Sequence, residues 1–150
     1  MKLLLAIDDS DYSAAAVKEV AKRPWPKGTT VRVLTVVEPF PAVAMEPWYG
    51  ARESHERIDD AEKKRARELT KKAVSTLKKA GIRVQSTIRQ GDPRSEIVDE
   101  AEESKADLIV MGSHGYTGIK RWLLGSVASS VVSHARCSVE VVRLKLKKKR

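Results

Sequence analysis

The sequence is short of cysteine, of aromatic residues and of long apolar runs, and each shortage excludes something. One cysteine, Cys137, rules out an internal disulfide framework and any multi-cysteine metal site. A lone thiol of this kind is expected to behave as a small hydrophobe. The three histidines, His55, His114 and His134, show no i, i+4 pairing, so a metal held by protein ligands alone has little support. No apolar stretch approaches the roughly 18–20 residues needed to span a bilayer. The run Leu3-Leu4-Leu5-Ala6-Ile7 is followed at once by Asp8 and Asp9, which fits a buried strand and not a signal peptide. The expected location is the cytoplasm.

What is present is a chain of 150 residues, 41% hydrophobic, the size of one domain with one continuous core. The formal net charge of +9 invites a nucleic-acid reading. Lys145, Lys147, Lys148, Lys149 and Arg150 carry five of those charges, and without them the balance falls to +4, spread along the chain. The tail at 145–150 is read as a solvated end, and nucleic acid is not expected as a partner.

Hydrophobic periodicity alternates between two periods. Short aliphatic runs at 2–8, 30–37, 82–89, 107–112 and 139–144 read as strands, with helical segments between them. The order βαβαβαβαβ is that of a parallel sheet covered by helices. Ser10 or Asp9 caps a first helix that stops before Pro24. A long second helix over about 54–80 carries Ile58, Ala61, Leu69, Ala73 and Leu77 on one face and ends at Gly81. Asp92-Pro93 opens a third helix ending near Lys105, and a fourth runs from near Ser126 to near His134. The proline-rich segment 38–52 reads either as a functional flap or as a cover over the sheet.

The chemistry is carried by glycines. After the strand at 107–112 comes Gly112-Ser113-His114-Gly115-Tyr116-Thr117-Gly118, and Gly125-Ser126 then opens the fourth helix. Glycines at a strand's carboxyl end let the backbone turn and approach a ligand. A serine at a helix start, beside free N–H groups and the helix dipole, suits phosphate. No GxxxxGK[ST] occurs, and the first strand ends in Asp8-Asp9-Ser10 without GxGxxG. A Walker-type site and a dinucleotide-binding unit are therefore not expected.

The spacing Gly112-x2-Gly115-x9-Gly125-Ser126 resembles the ATP-binding motif of the universal stress protein family, glycine-x2-glycine-x9-glycine-serine/threonine. The similarity continues in Ile7-Asp8-Asp9-Ser10, Val36-Val37-Glu38-Pro39, Gly91-Asp92-Pro93, Ala106-Asp107-Leu108-Ile109-Val110-Met111-Gly112 and Val141-Val142-Arg143. It spans residues 2–144, which defines a domain at 1–144 followed by the basic tail. There are departures. Asp9 replaces the family's usual glycine, which is expected to alter the turn. Arg136-Cys137-Ser138 stands where the family often has proline-cysteine-proline.

The resemblance implies a single-domain, Rossmann-like α/β fold: an open five-stranded parallel sheet of order 3-2-1-4-5 with helices on both faces. It implies ATP as ligand, with Mg2+ or Mn2+ brought by the nucleotide. Asp8 and the backbone near Val37 would contact the adenine, and Met111 and Gly112 would flank the ribose and α-phosphate. Gly115, Gly125, Ser126 and Val127 would surround the phosphates. Read without the resemblance, Asp8 is a helix cap, Val37 core and Ser126 an N-cap. His114 and Lys120-Arg121 are either phosphate sensors or solvent-facing loop residues, and Trp122 is a packing or interface residue. No clear base stands beside the phosphate site, His114 being the one candidate with a suitable ordinary pKa, so no catalytic residue is assigned and at most slow ATP hydrolysis is expected. The chain reads as a nucleotide-responsive switch or binding module, the alternative being a nucleotide-independent dimeric scaffold. Ser138-Val139-Glu140-Val141-Val142-Arg143-Leu144 is β-prone and would form an edge strand, which the family pattern implies is paired with its copy in a homodimer.

Overall fold

The computed structural model describes residues 1–39, 51–115 and 123–144. Its elements are β1 (Lys2–Ile7), α1 (Asp11–Lys22), β2 (Thr30–Val37), α2 (Ala51–Lys79), β3 (Arg83–Gln90), α3 (Pro93–Ser104), β4 (Leu108–Gly112), α4 (Ser126–His134) and β5 (Ser138–Val142). All strand pairs are parallel and the order is β3-β2-β1-β4-β5, as the sequence led us to expect.

Period-2 alternation builds two cores from one sheet. Leu3, Leu5, Ile7, Val31, Val33 and Val110 point to the face covered by α1 and α2, where they meet Val17, Val20, Ala73 and Leu77. Leu4, Ala6, Leu34, Ile109 and Met111 point to the other face, against Ile97 and Ala101 of α3 and Ala128 and Val131 of α4. Burial on both faces explains why the central strands read as continuous apolar runs instead of alternating ones.

The helix boundaries follow their caps. The Ser10 hydroxyl accepts the Ser13 N–H at 3.1 Å and starts α1. Asp92 accepts the Arg94 N–H at 2.9 Å and Pro93 takes the first helical position of α3. Gly81, at φ +79°, turns the chain out of α2 as a C′ residue should.

Two expectations change in detail. The buried stripe of α2 is Ala66, Thr70, Ala73 and Leu77, whereas Ala61 is exposed and Ile58 only half-buried. A helix of 29 residues is about 43 Å long and β2, with 8, is about 27 Å, so the first turns of α2 outrun the sheet they cover. The last strand ends at Val142, so Arg143 and Leu144 lie outside it. Val142 pairs with Gly112, the final residue of β4, and beyond it no ladder partner remains.

Polar groups join the layers. The Thr35 hydroxyl donates to that of Thr70 at 2.7 Å, and Thr70 donates to the Ala66 carbonyl at 2.7 Å. Glu100, 3% exposed, accepts from Arg32 at 2.7 Å and from Arg89 Nε at 2.6 Å, tying α3 to β2 and β3. Arg23 forms a two-bond fork with Glu140, both contacts 2.6 Å, clamping the end of α1 to β5. Among the described residues no buried side-chain nitrogen or oxygen lacks a partner, and no helix is long and apolar enough to cross a membrane.

Candidate functional site

The chain runs β1-β2-β3 outward in one direction and then returns to lay β4 on the other side of β1. Right-handed crossovers in opposite directions send α1 and α2 to one face and α3 and α4 to the other. A crevice must open where the direction switches, at the carboxyl ends of β1 and β4. There the structure has a cavity of ≈ 530 Å³.

Asp8 sits at its centre, just past the end of β1. The Asp8 N–H donates to Ser13 Oγ at 2.9 Å, and Ser13 Oγ donates back to Asp8 Oδ1 at 2.7 Å. The Ser10 hydroxyl donates to the same Oδ1 at 2.5 Å. Ser10, and not Asp8, caps α1. One carboxylate oxygen is thus fixed by two hydroxyls, and the other faces Gly115: a Cβ on Gly115 would lie 2.9 Å from Asp8 Oδ2.

The glycines act through close approach and not through a special backbone twist, since none of Gly112, Gly115 and Gly125 has a left-handed φ. A Cβ on Gly112 would come within 2.7 Å of Tyr12 Cβ and 2.8 Å of the Tyr12 carbonyl carbon, so glycine there lets α1 reach the end of β4. A Cβ on Gly125 would lie 3.1 Å from His114 Cα and 3.2 Å from the Ser113 carbonyl oxygen. The Gly125 N–H donates to that carbonyl at 2.9 Å, and the Ser113 N–H donates to the Val142 carbonyl at 2.9 Å. Both ends of the glycine loop are pinned in this way.

Gly125 is the N-cap of α4 and Ser126 its first helical residue, which corrects the N-cap reading of Ser126. Because the Ser129 N–H is the first to return, to the Gly125 carbonyl, the N–H groups of Ser126, Val127 and Ala128 have no acceptor within the helix. All three residues line the cavity. The Ser126 hydroxyl makes no hydrogen bond to another described residue. The arrangement is a set of donors with the positive end of a helix dipole behind it, able to hold an anion.

The charges around this donor set are mostly negative. Among the described lining residues Asp8, Asp9, Glu38 and Glu62 are acidic, with Arg65 and His114 as the basic side chains. Arg65, on α2, donates from Nε to Asp9 Oδ2 at 3.0 Å and from Nη2 to the same oxygen. Asp9 itself has no positive φ, so its replacement of a glycine leaves the backbone ordinary and adds this ion pair instead. His114 Nδ1 lies 3.0 Å from Ser113 Oγ, and its ring stands 5.0 Å from that of Tyr12. No cluster of three metal-ligating side chains occurs among the described residues. Cys137 packs half-buried beside the second core, and burial pushes its thiol pKa up, in keeping with a small hydrophobe.

Of the residues singled out in the sequence, Asp8, Val37, Met111, Gly112, Gly115, Ser126 and Val127 all line the cavity. Gly125 stands behind it, holding α4 against the loop. Sequence reading missed Ser13, which orients Asp8, and the wall formed by Glu62, Arg65, Ala66 and Leu69 of α2. The spacing 62, 65, 66, 69 on one helical face was a usable signal, but only once α2 is known to flank β1. Lys120, Arg121, Trp122, most of segment 38–52 and the tail at 145–150 lie outside the described residues.

An open parallel sheet with its cleft at the switch point, a carboxylate at the end of β1 and a glycine-cradled helix start after β4 place the chain among the doubly wound α/β proteins. The universal stress protein family model matches residues 1–143, and the chain belongs to that family. Universal stress protein MJ0531 of Methanocaldococcus jannaschii is 37% identical over 142 residues, covering 95% of this chain and 81% of that protein. The solved structure of MJ0577 from the same organism superposes with a TM-score of 0.82 at 29% identity, covering 97% of each chain. The universal stress protein of Archaeoglobus fulgidus, solved in complex with dAMP, gives a TM-score of 0.65 at 26% identity over 95% of this chain and 97% of that one.

Proposed function

We propose that this protein binds ATP in the cleft between β1 and β4 and works as a nucleotide-responsive switch or binding module in the stress response. One observation carries the reading. The N–H groups of Ser126, Val127 and Ala128, which have no acceptor among the described residues, and the Ser126 hydroxyl belong to residues lining the same cavity as Asp8, with Gly115 keeping the space beside Asp8 clear. A related protein in complex with dAMP supports an adenine nucleotide as the ligand class. The triphosphate would lie against Gly115, Gly125, Ser126 and Val127, the ribose beside Met111 and Gly112, and the adenine near Asp8 and Val37.

The donor set fits a phosphate chain, but the four carboxylates around it oppose one. Mg2+ or Mn2+ brought by the nucleotide would offset that repulsion. The chain's own residues bind and orient. Asp8, fixed by Ser10 and Ser13, offers a directed acceptor, and the first turn of α4 holds negative charge. Among the described lining residues the basic side chains are His114 and the Asp9-paired Arg65, too few to stabilise the charge of rapid phosphoryl transfer. Turnover is therefore slow at most.

Homodimerisation through β5 and a cytoplasmic location belong to the same reading. β5 is an edge strand, and Val132 on α4 and Leu144 after β5 are exposed apolar residues. The test is titration calorimetry of nucleotide-stripped protein with Mg-ATP, alongside phosphate release. Saturable binding at one site with turnover of at most a few per hour is the expected result. Rapid hydrolysis lost in His114→Ala contradicts the switch, and absent binding favours a nucleotide-independent scaffold.

A further inference from the structure

Resting on the nucleotide reading above, we propose that Arg65 recognises the base of the bound nucleotide, laying its planar guanidinium against the ring at the β2 end of the cleft. The two ends of the cavity differ in chemistry. β2 and β4 flank β1 on opposite sides, so the walls they carry stand about 10 Å apart at the usual strand spacing. At the β4 end are the first-turn N–H groups of α4, which have no acceptor among the described residues. At the β2 end are Val37, Ala66 and Leu69, apolar side chains that suit a flat ring, together with the carboxylates of Glu38 and Glu62, which repel phosphate. Arg65 belongs to this second end by its place on α2, one residue before Ala66 and four before Leu69.

The arginine is also held at the cavity. Nε and Nη2 both donate to Asp9 Oδ2, which holds the guanidinium by one edge and leaves its faces clear of that contact. Asp9 is the residue that departs from the family's glycine, so the grip comes with a change in the motif that opens the site. Both side chains are 54% exposed at the cavity rim, where an ion pair contributes little to folding. Guanidinium groups stack on aromatic faces, and the planarity that permits this is absent from lysine. Charge neutralisation of the phosphates is the competing role, and the separation of the two ends argues against it.

The experiment titrates nucleotide-stripped wild type, Arg65→Gln and Arg65→Lys with Mg-ATP, Mg-CTP and tripolyphosphate. Arg65→Gln is expected to weaken ATP about five- to tenfold and tripolyphosphate by less than about twofold, narrowing the preference for ATP over CTP. Arg65→Lys keeps the charge without the plane and restores little of it. Asp9→Gly returns the family's glycine without touching α2 and is expected to narrow the ATP over CTP preference in the same direction. Wild-type ATP affinity in Arg65→Gln overturns the proposal, as does an equal loss for ATP and tripolyphosphate. Wild type that binds no ATP overturns the nucleotide reading, and this one with it.

Discussion

Replacing Gly112 by alanine adds one methyl group at the point where α1 crosses the end of β4. That Cβ would stand 2.7 Å from Tyr12 Cβ, 2.8 Å from the Tyr12 carbonyl carbon and 3.1 Å from the Ser13 N. Carbon atoms rest comfortably at about 3.5–4.0 Å, so the first turn of α1 has to withdraw by roughly 0.7 Å or more. Two of the three obstacles are backbone atoms, and no rotamer change relieves them. Overpacking of this kind costs about 1–3 kcal/mol. A central value of about 2 kcal/mol lowers the melting temperature of a 150-residue domain by about 4–8 °C. Withdrawal of α1 also carries Ser13 away from Asp8, so the 2.7 Å bond between them lengthens and ATP affinity falls with stability. Differential scanning calorimetry with urea titration measures the first effect and nucleotide titration the second. A Gly112→Ala protein with wild-type melting temperature and urea midpoint refutes the packing argument.

Three further outcomes follow from other contacts. Ser13→Ala removes the partner of the half-buried Asp8 N–H and one of the two hydroxyls on its carboxylate, and should cost about 0.5–1.5 kcal/mol by urea denaturation. The Arg23 fork holds the Glu140 carboxyl below its ordinary pKa, so that carboxylate stabilises the fold above the unfolded value and the contribution is lost as pH falls through the folded one. Glu140→Gln, in a pair about one-third exposed, should therefore cost up to about 1 kcal/mol above about pH 5, with the gap from wild type closing at lower pH. A gap independent of pH contradicts the ion pair. Static light scattering at tens of micromolar should give twice the chain mass, and a monomer there removes β5 pairing from the proposal.

The parallel sheet was legible because burial on both faces of the central strands leaves long aliphatic runs, whereas the strand order, and with it the place of the cleft, came from the family resemblance that Gly112, Gly115 and Gly125-Ser126 carry. The helix caps at Ser10 and Asp92 were equally local and therefore readable. Ser13 was not, because its meaning depends on Asp8 folding back over the first turn of α1. The Asp9–Arg65 pair joins residues 56 apart, and the Arg32–Glu100 pair residues 68 apart. Such pairs exist only after the sheet order brings α2 over β2 and α3 behind it. Periodicity overstated the buried face of α2 for a related reason. A helical pattern records which residues share a face, not where the supporting sheet ends.

The most direct measurement is a thermal melt of nucleotide-stripped wild type and Gly115→Val, each with and without Mg-ATP. The Gly115 backbone is not left-handed, so a side chain there is compatible with its φ and fills the cleft beside Asp8, its Cβ pressing on Oδ2 at 2.9 Å. ATP at about 100 times its dissociation constant adds about 2.7 kcal/mol. For a domain of this size that raises the melting temperature by about 5–10 °C. The expected result is that rise in wild type and none in a folded Gly115→Val; an equal rise in both places the nucleotide elsewhere, and no rise in either contradicts nucleotide binding.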